Sequence, residues 1–358
     1  MRKILSLPAW TVIAPILALV FLFLYVQKPL FAALAAAGLI IAVMSAVHHA
    51  EIIAHKVGEP FGTLILALAI TIIEVSLIVS LMFAGGEEAV TLARDTVFAA
   101  VMIILTGIIG MCLLLGGLYH KEQKFGMHAV SAALVGLVAI CTLTLILPNY
   151  TTSILGPSYS KSQLIFVSVI SLVLYGTFVL VQTVRHRDYF LPASGADDEE
   201  QHAAPPTAKT AIVSLVLLLG CLVAVVMLAK KLAPVIETGV VSLGAPKAVV
   251  GIIVALVILL PEGIAAVRAA AKNRLQTSLN LALGSALASI GLTIPAVAIA
   301  SLITGINVTL GIDAKSIVLL TLSFITVMIS FQSGKTTIMQ GVVLLVLFFV
   351  YLFLTIFP

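Results

Sequence analysis

Residues 69–82, AITIIEVSLIVSLM, set one carboxylate, Glu74, in the middle of an apolar run, and residues 254–267, VALVILLPEGIAAV, do the same with Glu262. An ionisable side chain within a membrane-length segment is costly, so two such placements mark a function rather than an accident of composition.

The surroundings fix the class. The chain has 358 residues, 61% of them hydrophobic and only 9% charged, with a mean hydropathy of +1.25. Apolar runs long enough to cross a bilayer recur along its whole length. An all-α polytopic membrane protein is expected, its partners membrane lipids, with self-association left open. The net charge of +4 does not imply nucleic acid, because the basic residues are confined mostly to short loops, where they report topology. Cys112, Cys141 and Cys221 are odd in number and lie within apolar runs. Without paired spacing they read as small core residues, not as a disulfide framework or zinc site.

Polar and Pro/Gly-rich breaks divide the chain into about eleven transmembrane helices, near residues 10–27, 30–54, 61–84, 96–118, 127–148, 162–184, 209–231, 247–268, 278–303, 315–332 and 337–356. Arg2 and Lys3 precede the first run, but no small-residue cleavage region follows, so that span is expected to be retained. Alternate loops divide the nineteen Lys and Arg residues twelve to seven, which puts the N-terminus in the cytoplasm and the C-terminus outside. The organisation expected is an N-terminal helix (1–28), a first five-helix repeat (29–184), an acidic cytoplasmic loop (185–208) and a second five-helix repeat (209–358). An odd number of helices per repeat makes the repeats antiparallel. Glu74 and Glu262, 188 positions apart, each fall in the second helix of a repeat. That is the inverted-repeat plan of secondary transporters, whose substrate sites lie near the bilayer midplane.

A carboxylate in low dielectric prefers to be neutral, so it holds a proton unless a cation takes the proton's place. Two such groups can exchange protons for a metal ion. A hard cation needs about six to eight oxygens, more than two Glu supply. Pro261 has no N–H, so the carbonyl of Val257 should lose its helical partner, and Pro295 should free Gly291 in the same way. The run NLALGSALASIGLTIP (280–295) adds Asn280, Ser285, Ser289 and Thr293, with Gly284, Ala288 and Gly291 allowing close backbone approach. Thr71, three residues before Glu74, shares its face. Thr106, Gly107 and Gly110 mark the helix after Glu74 as small and polar.

The stretches GEPFGTLILALAITIIEVSLI (58–78), LARDT (92–96), LVILLPEG (256–263) and NLALGSALASIGLTIPAV (280–297) resemble the calcium/proton exchanger family of the calcium/cation antiporter superfamily, in its bacterial ChaA-type branch. The resemblance covers most of the chain. It implies an antiporter in the inner membrane of a bacterium, exporting calcium, sodium or potassium in exchange for protons, with Glu74 and Glu262 binding cation and proton alternately. No cofactor is implied. Gly284 and Ser285 match the family's Gly-Ser. The family's Gly-Asn before each glutamate is replaced by Ile70-Thr71 and Ile258-Leu259, so calcium export and a monovalent sodium/potassium exchange both stay open.

His48, Glu51 and His55 recur at i, i+3 and i+7, a face that could bind a metal or sense pH at the inner end of a span. Asp197, Asp198, Glu199 and Glu200 form a solvated loop or an inner-side cation sensor. QSGKTT (332–337) imitates a phosphate-binding loop but lacks its first glycine and its strand, so no nucleotide binding is expected. A passive channel using the same carboxylates as a selectivity element and an intramembrane acid/base enzyme are the alternatives. The enzyme lacks any accompanying nucleophile or metal motif.

Overall fold

The computed structural model describes residues 3–4, 7–24, 29–58, 61–85, 90–191 and 206–357. Asp197, Asp198, Glu199 and Glu200 lie outside the described residues, as do Arg2, Glu59, Glu87 and Glu88.

Leu-, Ala- and Ile-rich runs give twelve helices among the described residues: α1 (Ala9–Phe23), α2 (Pro29–Val57), α3 (Phe61–Gly85), α4 (Leu92–His120), α5 (Met127–Tyr150), α6 (Lys161–Arg185), α7 (Arg187–Phe190), α8 (Ala208–Ser242), α9 (Ala248–Ala271), α10 (Leu275–Thr304), α11 (Ala314–Phe331) and α12 (Ile338–Ile356). Apart from the single turn α7, each corresponds to one span read from the sequence. Nine of the described helices are long and apolar enough to cross a membrane. The protein is an all-α polytopic membrane protein.

The helix ends are written in the sequence. Ser160 and Gln163 close a capping box at the start of α6, and Thr337 and Gln340 another at α12. Gly58 and Gly305, with φ of 78° and 74°, end α2 and α10 in the left-handed conformation that glycine adopts without strain. The largest boundary difference is in α8. Lys230-Lys231 suggests an end at 231, yet the helix runs on to Ser242 because Lys231 Nζ donates to the Leu22 carbonyl at the C-terminus of α1, 2.9 Å away. A cation is favourable at that negative helix end.

Two compact units emerge. The first (Met1–Ala89 with Asp198–Val250) holds α1, α2, α3 and α8. Here α1 carries Pro15, which deprives the Thr11 carbonyl of its helical donor. Ser45 Oγ and His49 Nε2, both on α2, donate to that carbonyl at 2.8 and 3.1 Å. Cys221 Sγ on α8 lies 3.5 Å from Ser45 Oγ, so a short polar chain joins three helices.

The second unit (Val90–Asp197 with Gly251–Pro358) holds the remaining helices, and α4 is its most enclosed span. Gly110 and Gly117 on α4 face Leu344–Leu345 and Ile338 of α12, and Gly341 of α12 faces Leu114 in return, so the two backbones run antiparallel in close contact. On another side, Gly251 of α9 meets the Asp95–Thr96 backbone. Two-residue strands β1 (Gln123–Lys124) and β2 (Lys335–Thr336) pair antiparallel, with Gln123 opposite Thr336, and join the α4–α5 turn to the α11–α12 turn.

Candidate functional site

Glu74 is 3% exposed and Glu262 5%. In α3, Thr71, Glu74, Ile78 and Met82 form a buried stripe at helical spacing, while Leu68 and Ile72 stand open on the opposite side. In α9, Leu259, Glu262, Ala266 and Ala270 form the buried stripe, and Leu256 and Leu260 are open. Each pair of equivalent positions is 188 residues apart. The two glutamate helices therefore repeat not only a residue but a pattern of burial: carboxylate inward, aliphatic side chains two and six residues earlier outward.

The immediate neighbours differ. Thr71 places a buried hydroxyl one turn before Glu74, whereas Leu259 puts a buried aliphatic group one turn before Glu262. Helix α9 continues unbroken through Pro261, so the Val257 carbonyl has no i+4 N–H to accept. A Cβ on Gly263, the residue after Glu262, would come 3.2 Å from Ile108 Cδ1. Ile108 closes a π-helical turn, Ile103–Ile108, within α4. Thr106 Oγ1 in that turn donates to the Met102 carbonyl, and Gly107 packs on Phe348. Such turns interrupt helices frequently at functional sites. Nothing in the apolar run announced this one.

On α10, Ser285 is half-buried, Ser289 and Thr293 are buried, and no atom lies within 4 Å of where a Gly284 side chain would begin. Gly284 thus flanks open space rather than the close backbone contact expected of it. Gly291 instead packs closely against the Tyr175 side chain of α6. Its carbonyl is still left without a helical donor by Pro295, through which α10 runs straight on. Asn280 is engaged elsewhere. Its Nδ2 donates to the Phe190 carbonyl at 2.6 Å and its Oδ1 accepts from Gln276 Nε2 at 2.8 Å, which ties the start of α10 to α7.

His48, Glu51 and His55 do not assemble a metal site. His48 Nδ1 is 3.7 Å from Glu51 Oε2, and both Glu51 and His55 are exposed. Among the described residues no three His, Cys, Asp or Glu side chains converge on a point where a metal ion could sit. Glu51 and His55 point to solvent, whereas His48 packs against the Trp10 ring. The neighbouring His49, which the i, i+3, i+7 spacing passes over, is the buried one. Its signal in the sequence was Pro15, which creates the acceptor it serves.

A polytopic helical membrane protein with a carboxylate buried at equivalent places in two of its spans is thereby defined. The chain matches the sodium/calcium exchanger protein family over residues 27–184 and 213–357, and it belongs to that family. It is 45% identical over 98% of its length to y4hA of Sinorhizobium fredii, named as an ionic transporter, of which it covers 97%. It is 37% identical over 96% of its length to the sodium-potassium/proton antiporter ChaA of Escherichia coli, of which it covers 94%. Among solved structures, native YfkE superposes with a TM-score of 0.74 at 18% identity, covering 98% of this chain and 99% of the other, a likeness of fold.

Proposed function

We propose that this protein is a secondary antiporter that exports a cation in exchange for protons, with Glu74 and Glu262 as the groups for which cation and proton compete. The repeated burial around the two glutamates carries the reading. A carboxylate enclosed in this way is neutral when protonated and tolerates its charge when a cation is present. Proton and cation are then alternative occupants, and a proton gradient drives the cation out. No nucleotide or organic cofactor takes part, and the function is transport rather than enzymic catalysis.

Thr71, Ser285, Ser289 and the carbonyls of Val257 and Gly291 are the oxygens we assign to supplement the carboxylates. The cation is calcium, sodium or potassium. Leu259, where a hydroxyl or amide would add an oxygen beside Glu262, favours the monovalent ions, because calcium demands the larger oxygen count. The name of the Escherichia coli relative points the same way. In the bacterial inner membrane the N-terminus is assigned to the cytoplasm by the distribution of Lys and Arg.

The test is proton release from purified protein in weakly buffered detergent solution. Adding sodium, potassium or calcium should acidify the medium for the wild type. Glu74→Gln and Glu262→Gln should each release fewer protons. Cation binding with no proton release in any variant would contradict the reading.

A further inference from the structure

Three aromatic rings stand at the end of the second unit that carries the α4–α5 and α9–α10 turns. The Tyr189 ring lies parallel to His186, with centroids 4.8 Å apart and 5° between planes. It also packs on His128, from the first turn of α5, at 5.0 Å and 30°. Tyr189 belongs to the single turn α7, and the next residue, Phe190, is packed edge-on against Phe178 of α6 at 5.9 Å. The Phe190 carbonyl accepts from Asn280 of α10. Gln276, hydrogen-bonded to Asn280, accepts in turn from the Gly126 amide just before α5. A closed circuit thus runs from α5 through the ring stack to α7, from α7 to α10, and from α10 back to α5.

We propose that the His128–Tyr189–His186 stack is a proton-sensitive latch, which holds α7 on the start of α10 while its imidazoles are uncharged and releases it when both are protonated. Histidine is the side chain that ordinarily changes charge between about pH 5 and 8. One imidazolium on the Tyr189 face is tolerated, because a cation is attracted to an aromatic ring. The second must then enter beside the first. His128 also sits in the first turn of α5, where the helix dipole opposes positive charge. The charged groups on the neighbouring elements are of both signs. Arg185, Arg187 and Asp188 adjoin His186 and Tyr189 in sequence on α6 and α7, Lys121, Glu122 and Lys124 stand on the α4–α5 turn, and Arg274 leads into α10. Glu122 is itself near Lys335, 3.6 Å away.

Release would free Asn280 from α7 and loosen the first turns of α10, the helix that bears Ser285 and Ser289. An antiporter that imports protons would thereby slow when the side bearing the latch turns acid. That consequence rests on the antiport reading, whereas the opening of the latch does not.

Two measurements decide it. Hydrogen–deuterium exchange of the full-length protein, corrected for the chemical exchange rate, should show amides 186–191 losing at least tenfold in protection between pH 8 and pH 5. His128→Phe with His186→Phe keeps rings without charge and should hold protection at both pH values. His186→Phe alone, should the double variant not fold, leaves one tolerated imidazolium on Tyr189 and should likewise hold protection at both pH values. Unchanged protection in the wild type, or the same loss in the Phe variants, overturns the latch. In membrane vesicles the wild type should lose cation-linked proton flux toward pH 5 several-fold more than the Phe variants, and coincident profiles overturn the regulatory role. Absence of such flux from the wild type at every pH counts against the antiport reading instead, and exchange still decides the latch.

Discussion

His49 of α2 donates through Nε2 to the Thr11 carbonyl of α1 at 3.1 Å, and the carbonyl is available because Pro15, four residues on, has no N–H to offer it. Ser45 takes the carbonyl's other lone pair. A helix break in one span is thus answered by two donors on its neighbour.

Removing those donors should destabilise the first unit. Ser45→Ala leaves one donor and His49→Leu the other. Each should cost about 1 kcal/mol, the scale of interhelical hydrogen bonds in membranes. The double variant should cost more than the sum, since an orphaned carbonyl in an apolar interior costs more than a bond exchanged. Thermal unfolding in detergent measures this, and a double variant as stable as the wild type would refute it.

The proximity of Cys221 Sγ to Ser45 Oγ, 3.5 Å, makes a chemical prediction. Ser45→Cys should form a disulfide with Cys221 under mild oxidation. After proteolytic cutting between residues 192 and 205, the two fragments should remain joined until reduced. Fragments that separate without reductant would show that α2 and α8 do not pack in this register.

Much of the fold was legible because the bilayer leaves so few solutions, and apolar length with polar breaks placed the spans. The glutamates were legible for the same reason, a charge in an apolar run being its own signal. The end of α8 was not, because Lys231 reads as a polar break until the Leu22 carbonyl is seen to receive it. The π turn of α4 was hidden, since IILTGI carries no pattern separable from an ordinary helix. Asn280 looked like a ligand by composition. Its commitment to Phe190 depends on α7, a contact across 90 residues of chain that no local spacing encodes.

Ion choice should respond to Leu259. Leu259→Asn adds an oxygen one turn before Glu262, as Thr71 does before Glu74. Calcium transport should rise several-fold relative to sodium and potassium, since each oxygen counts toward calcium's larger coordination number. Competition assays with the three ions in proteoliposomes would measure the ratio, and an unchanged ratio would remove Leu259 from the selectivity argument.

Competition between cation and proton sets a pH dependence. Protonation neutralises the carboxylates, so cation affinity is full at alkaline pH and is lost as pH falls. The apparent KM for the cation should rise by up to about tenfold per pH unit for each competing proton. A KM independent of pH from 6 to 9 would argue against shared occupancy.

The most direct test of the central claim is proton flux in everted membrane vesicles with a preformed acidic interior, to which sodium, potassium or calcium is added in turn between pH 7 and 9. The account predicts cation-dependent proton efflux for the wild type. It predicts at least a tenfold loss for Glu74→Gln and for Glu262→Gln, both folded. Full activity in either variant, or cation uptake with no linked proton movement, would contradict it.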